Sequence, residues 1–228
     1  MMTTPTSQDG AIAPPLPDYR EIVRHYEGCL AQHGDSHRGV DWPNAADALK
    51  RYRVMLDVMR PGVTDNRPSL LDFGCGAAHL LDYIQTNKLD HIGYTGLDLS
   101  DEFVNLSRSK FPGHTFIQGD ALDPAFQLGL YDYVVMNGVF TEKRGLTFEE
   151  MNRFFCALLM KVFSSTRVGI AFNVMSKAVD WERDDLFHMP TDLLINFLCR
   201  NLSRHFVIRN DYGLYEYTVY VYKEPSRG

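Results

Sequence analysis

The chain has little that would mark it as basic, membrane-spanning or disulfide-stapled. Its 23 Lys and Arg are outnumbered by 29 Asp and Glu, for a formal net charge of −6. That balance argues against general affinity for nucleic acid or an anionic membrane surface. Neither partner is expected. Uninterrupted apolar stretches such as Cys156 to Met160 fall far short of the ~20 residues a membrane-spanning helix needs. The four cysteines, Cys29, Cys75, Cys156 and Cys199, are far apart and include no C-x-x-C pair, so free thiols are expected. No Lys or Arg precedes Arg20, and the opening segment has no apolar core of signal-peptide length. A cytoplasmic location is the expectation. The pattern G-x-x-x-x-G-K-[ST] is absent, which leaves hydrolysis of nucleoside triphosphates without support.

What is present suits an ordinary globular protein. Over 228 residues, 45% are hydrophobic, 12% aromatic and 23% charged, enough for one domain with an appendage. Residues 1–17 carry Pro5, Pro14, Pro15 and Pro17 among small polar residues and are expected to form a disordered tail. Residues 18–60 show helical signals, with Asp18 as an N-cap candidate and Ile22, Val23 and Tyr26 at helical spacing. They are expected to form a helical cap or lid. From 61 to 228, short apolar runs alternate with longer amphipathic ones, the pattern of a doubly wound α/β sheet. Strands are expected at 69–73, 93–98, 115–118, 131–136 and 167–172. Two further β runs, 205–209 and 215–222, meet across a turn, so the last strand should be antiparallel.

Leu70-Leu71-Asp72-Phe73-Gly74-Cys75-Gly76-Ala77-Ala78-His79 reads as a buried strand, a glycine turn and the start of a helix, the place where open α/β sheets bind ligands. A dinucleotide fingerprint would require glycine where His79 stands, which makes a nicotinamide enzyme a poor fit. Asp72, an acid inside an apolar strand, needs partners or a raised pKa, and backbone amides of the glycine loop are the partners expected. Cys75 reads more readily as a small packing residue than as a nucleophile.

Four successive pieces resemble the class I S-adenosylmethionine-dependent methyltransferases, over roughly residues 66–223. They are Leu71-Asp72-Phe73-Gly74-Cys75-Gly76 with Ala78 at the third glycine position, Gly96-Leu97-Asp98-Leu99-Ser100, Phe116-Ile117-Gln118-Gly119-Asp120-Ala121, and Tyr131 to Phe140. The resemblance implies a Rossmann-like seven-stranded sheet and S-adenosyl-L-methionine as cofactor, with S-adenosyl-L-homocysteine as product. It implies a cofactor site at Asp72, Phe73, Gly74, Cys75 and Gly76, with Asp98 and Leu99 at the ribose, Asp120 and Ala121 at the adenine, and Asn137 beside the reactive methyl. Arg51 either pairs with the cofactor carboxylate or belongs to a solvated basic face with Lys50 and Arg53.

The acceptor must be read from the rim of the sheet. If it is a hydroxyl, a base is needed, and His188 is the first candidate, with Asp211 and Glu142 in reserve. Tyr212, Asn173 and Trp42 are candidate substrate contacts, Trp42 alternatively a core anchor. The segment from Gly34 to Asn44, with Asp211-Tyr212 and Tyr215-Glu216-Tyr217, resembles bacterial methyltransferases associated with surface polysaccharides. A hydroxyl of a sugar, glycan precursor or secondary metabolite is therefore the favoured acceptor. A nucleic-acid N-methyltransferase and a non-catalytic cofactor-binding module are the alternatives. A homodimer is compatible with the sequence. Cys29, His33 and His37 stand at steps of four, but Gly28, Gly34 and Gly39 oppose the continuous helix that would align them, so no metal site is expected.

Overall fold

A computed structural model of the chain describes residues 15–64 and 67–226. The expected tail falls mostly outside the described residues. Two helices come first, α1 (Arg20–His33) and α2 (Ala45–Leu56). The expected Asp18 cap shifts by one position: Tyr19 is the cap residue, while Asp18 Oδ1 accepts from the Arg20 amide at 3.2 Å. The helix α1 stops at Gly34, whose φ of 63° suits a residue without a Cβ. In α2, the Asn44 side chain caps the first turn by accepting from the Ala46 amide at 2.9 Å.

The sheet follows as β1 (Ser69–Phe73), β2 (Gly93–Asp98), β3 (Thr115–Gln118), β4 (Tyr131–Phe140), β5 (Thr166–Ser176), β7 (His205–Arg209) and β8 (Glu216–Tyr222), with a two-residue strand β6 (His188–Met189) beside β5. Helices α3 (His79–Thr86), α4 (Asp101–Lys110), α5 (Phe148–Ser164) and α6 (Thr191–Asn201) occupy the connections. Along the main path the order is β3-β2-β1-β4-β5-β8-β7, with β8 antiparallel to both neighbours. This is the expected seven-stranded doubly wound sheet. Strands β4 and β5 run about four residues beyond their expected ends, and β6 was not foreseen from so short an apolar signal.

Side chains alternate between two cores because strand residues point to opposite faces. Val134 and Met136 join Leu71, Phe73 and the apolar face of α5, while Tyr133 and Val135 join Leu70 and residues of α2 and α3. The aromatic ending follows the same rule with both faces dry: all seven residues of β8 are buried. Tyr220 and Tyr222 donate their hydroxyls to the α2-side carbonyls of Val54 (2.5 Å) and Val58 (3.1 Å). Thus α2 is a packed layer of the sheet, with Val54 and Met55 fully buried. The helix α1 and the segment after it lie over the crevice, which α2 reaches through Tyr52.

The order reverses between β1 and β4, and a crevice forms there at the carboxyl ends of the strands.

Candidate active site

One cavity occupies that crevice. Its floor is made by the ends of β1, β2 and β4, and its roof by Tyr19, Ile22, Val23 and Tyr26 of the cap and by Val40 and Trp42 of the following segment. Tyr19, Ile22, Val23 and Tyr26 are spaced i, i+3, i+4, i+7, one face of a helix. The helical spacing of Ile22, Val23 and Tyr26 was visible in the sequence, and the structure adds Tyr19 to that face and turns it toward the cavity.

The glycine turn is shaped by close approach. Gly74 has φ 72°, and a Cβ there would lie 2.7 Å from Val139 Cγ2. The amides of Gly74 and Cys75 both donate to the Leu97 carbonyl, at 2.7 and 3.0 Å, and the Gly76 amide donates to Asp98 Oδ2 at 2.8 Å. The loop therefore does not turn these three N–H groups toward a ligand. An anion-cradling loop needs such groups free, so a phosphate-bearing ligand is poorly matched here.

The carboxylates take distinct settings. Asp98, half-buried on the cavity wall, accepts from Gly76 on Oδ2 and from the Ser100 amide on Oδ1 at 2.9 Å. Burial raises its pKa, while those backbone bonds act the other way. Asp72 does not hold the glycine loop as expected, since those amides are already bonded to Leu97 and Asp98. Its partner is the Tyr94 hydroxyl, at 2.7 Å. Burial pushes the Asp72 carboxyl up to about 7; the Tyr94 bond opposes the rise and the nearby Asp98 charge adds to it. Asp120 accepts from the Tyr19 hydroxyl at 2.8 Å and from the Leu122 amide at 3.0 Å, tying the roof to the floor.

At the end of β4, Asn137 lines the cavity and its Oδ1 is buried without a partner. Beside it Gly138, φ 84°, leaves room for Trp42, whose Cζ2 lies 2.8 Å from where a Cβ would stand. The Gly138 carbonyl accepts from the Tyr26 hydroxyl at 3.3 Å.

Of the expected cofactor residues, Asp72, Phe73, Gly74, Cys75, Gly76, Asp98, Leu99, Asp120, Ala121 and Asn137 all line this cavity, as does Trp42. Arg51 does not. Its guanidinium lies 4.0 Å over the Trp42 ring and pairs with Glu216 at 2.8 Å. Glu216 accepts in turn from Asn173 Nδ2 at 2.9 Å, and Asn173 Oδ1 accepts from the Gly138 amide at 2.8 Å. Asn173 is thus a fully buried brace beneath the cavity rather than a substrate contact.

The expected bases are corrected by geometry. His188 is 5% exposed and outside the cavity lining; Nδ1 meets the Ser176 carbonyl at 2.6 Å and Nε2 accepts from the Arg183 amide at 3.2 Å. Both ring nitrogens are spent on backbone. Asp211 is exposed in the β7–β8 turn and pairs with Arg209 at 3.0 Å. Tyr212 is buried with its hydroxyl 2.8 Å from Thr218 Oγ1. Glu142 is buried behind the cap, paired with Arg144 at 3.3 Å, and burial raises its pKa. Sequence reasoning also missed His79 as a lining residue. Its Nε2 lies 2.8 Å from Asp35 Oδ1, and Asp35 is held by Lys110 at 2.9 Å.

Residues 71–154 match the family model described as "Methyltransferase domain". A Mycobacterium tuberculosis protein named provisionally as the methyltransferase Rv1506c is 32% identical over 162 residues, covering 68% of this chain and 93% of that protein. Among solved structures, magnesium protoporphyrin IX methyltransferase from Synechocystis PCC 6803, with bound SAH, superposes with TM-score 0.61 at 16% identity, over 90% of this chain and all of that one. Streptomyces venezuelae DesVI gives TM-score 0.56 at 16% identity, over 80% of this chain and 93% of that one. The sequence match, the shared fold and the cavity at the β1–β4 crevice agree: this chain belongs to the class I S-adenosylmethionine-dependent methyltransferases.

Proposed function

We propose that the cavity beneath α1 binds S-adenosyl-L-methionine together with a small-molecule acceptor, and that the chain methylates a hydroxyl of that acceptor, on a sugar, glycan precursor or secondary metabolite. The observation that carries the reading is the one cavity in which Asp98, Asp120, the glycine turn and Asn137 meet under an aromatic roof. When bound, the cofactor supplies a methyl group activated on a sulfonium.

The residues fit such a group. Asp98 has carboxylate acceptor capacity beyond its two amide bonds, which suits ribose hydroxyls. Asp120 and Ala121, both in the lining, are assigned to the adenine edge. Gly74 and Gly76 let the main chain approach closely, and their amides, turned away, do not call for a phosphate. Asp72, Tyr26, Trp42 and Tyr52 line the same cavity, a set of one acid and three aromatic rings that suits a cationic group. Asn137 Oδ1 offers an unused acceptor at the same end of the cavity.

Displacement at a methyl carbon asks the protein mainly for alignment and exclusion of water. The cap supplies the exclusion, since Tyr19 and Tyr26 fasten it to Asp120 and to the Gly138 carbonyl. Proton removal from a hydroxyl needs a base in the lining. We assign it to His79, whose ring is oriented by Asp35 in the way a general base is commonly held.

Calorimetric titration with S-adenosyl-L-methionine and S-adenosyl-L-homocysteine tests the first half, with Asp98→Ala as control. Binding lost by at least ~100-fold in the variant is expected, equivalent to about 2.7 kcal/mol. No binding to the intact chain overturns the site. Incubation with radiolabelled cofactor and a panel of sugars, nucleotide sugars, phenols and oligonucleotides tests the second half. A methyl ether product is expected, and label found only on amines or nucleic acid overturns the hydroxyl assignment.

A further inference from the structure

The cap carries a second cluster, behind the roof of the cavity. His25 and Cys29 stand one turn apart on α1, at i and i+4, so they project from the same face. Asp41 approaches that face from the segment between the two cap helices. His25 Nε2 lies 2.8 Å from Asp41 Oδ2 and 3.8 Å from Cys29 Sγ, and all three ligand atoms fall within 4.8 Å of one another.

Those separations resemble the edges of a metal tetrahedron. With bonds of about 2.0–2.1 Å to nitrogen and oxygen and about 2.3 Å to sulfur, the nitrogen-to-oxygen edge is about 3.3 Å and the nitrogen-to-sulfur edge about 3.6 Å. The nitrogen–oxygen pair would open by about half an ångström and the nitrogen–sulfur pair close by about 0.2 Å, while the sulfur–oxygen pair, within 4.8 Å, would close toward an edge of about 3.6 Å. A hydrogen bond accounts for the His25–Asp41 contact alone. The thiol of Cys29 converges on the same imidazole nitrogen, so sulfur, nitrogen and oxygen surround one point.

We propose that His25, Cys29 and Asp41 bind one zinc-type divalent cation, which clamps α1 to the segment bearing Trp42. The donor set of one sulfur, one nitrogen and one oxygen selects a borderline metal such as zinc over magnesium or calcium. Three protein ligands leave a fourth position for water. The neighbouring charges are compatible: Glu142 faces Asp41 and His25, and the nearby Arg144 is already balanced at 3.3 Å by Glu142 and by Asp185. The location gives the ion a task. Tyr26, next to His25, and Trp42, next to Asp41, both line the cavity, so the clamp holds two parts of its roof together.

This grouping differs from the one the sequence offered. Helix α1 ends at His33, which is exposed, and His37 lies beyond the helix with Nδ1 2.5 Å from the Trp42 carbonyl. The spacing of four from Cys29 thus runs backwards to His25, not forwards to His33.

The test is metal binding by the full chain, independent of turnover. Protein stripped with a chelator is titrated with cobalt(II), then with zinc(II), and metal is counted after gel filtration. One cobalt per chain with a thiolate-to-metal charge-transfer band is expected, displaced by zinc. Cys29→Ser should abolish the band and weaken zinc at least ~100-fold, and Asp41→Asn should weaken it at least ~10-fold; His33→Ala and Cys199→Ser should keep both. Zinc at ~100 times its Kd should raise the thermal midpoint of the wild type by roughly 5 °C and leave Cys29→Ser unmoved. Circular dichroism of the stripped variants verifies that they fold, and the wild-type band reports thiolate ligation even where a variant does not. Absence of stoichiometric metal in the wild type, or a band that persists in Cys29→Ser, overturns the proposal.

Discussion

Arg51 and Glu216 form an ion pair at 2.8 Å that joins α2 to the start of β8, with the Glu216 side chain 1% exposed and that of Arg51 12%. The pair is continued by Asn173 to the Gly138 amide, so the charge on α2 is linked to the backbone at the floor of the cavity. Removing one buried partner leaves the other uncompensated, which typically costs 3–5 kcal/mol, about three here because Arg51 keeps some exposure. Arg51→Met should therefore unfold at a urea midpoint well below wild type, and Arg51→Met with Glu216→Leu should recover much of the loss. A single variant as stable as wild type in urea titration would show the pair to be idle.

Asp72 predicts a dependence of stability on pH. Its carboxyl sits near 7 in the folded protein because of burial, against an ordinary value near 3.9. Between those values the folded chain retains a proton that the unfolded chain releases, so this group's contribution declines as pH rises from about 4 to 7. Asp72→Asn keeps an acceptor for Tyr94 and removes the dependence. Its stability relative to wild type should rise by about 2–4 kcal/mol between pH 4 and pH 8, read from urea midpoints at both.

The two histidines should part company. His79→Gln should lower turnover by about 100-fold, with cofactor affinity within a few-fold of wild type. His188→Ala should leave turnover within about two-fold and lower stability by about 1–3 kcal/mol, because it strands the Ser176 carbonyl and the Arg183 amide. Steady-state kinetics with urea unfolding separates the two; the reverse outcome would return His188 to the chemistry.

Gly138→Ala meets two obstacles, a φ of 84° and the Trp42 ring 2.8 Å from the new methyl group. A stability loss of at least ~2 kcal/mol is expected. Since Trp42 and Tyr26 both bear on this glycine, cofactor affinity should fall as well, which calorimetry reads directly.

Much of the fold was legible because strand and helix signals are local. Runs such as Ser69–Phe73 and Gly93–Asp98 coincide with β1 and β2, being apolar, short and bounded by turn residues. The residues lining the cavity were legible for a related reason, since they lie at or near the carboxyl ends of strands and the topology of an open sheet brings those ends together. The ends of β4 and β5 were read short because Asn137-Gly138 and Asn173 look like loop residues, whereas the Gly138 amide and the Asn173 side chain satisfy one another inside the sheet.

Asn173 in β5, His188 at the start of β6, and Asp211 and Tyr212 after β7 lie on strands or just past their ends, as Asp98 does, yet none lines the cavity. Which side of a rim a residue faces depends on partners distant in sequence, such as Ser176 and Arg183 for His188 or Thr218 for Tyr212. The same holds for the roof and for the cluster of His25, Cys29 and Asp41. Composition, apolar periodicity and the glycine turn were enough to determine the sheet, its antiparallel last strand and the edge that binds a ligand, because those depend on local backbone preference and on one chain-wide pattern. The closing of α1 over that edge, the pairing of Arg51 with Glu216 instead of a ligand, and the identity of the histidine in the cavity were decided only by tertiary structure, because each rests on a contact between side chains tens to more than a hundred residues apart.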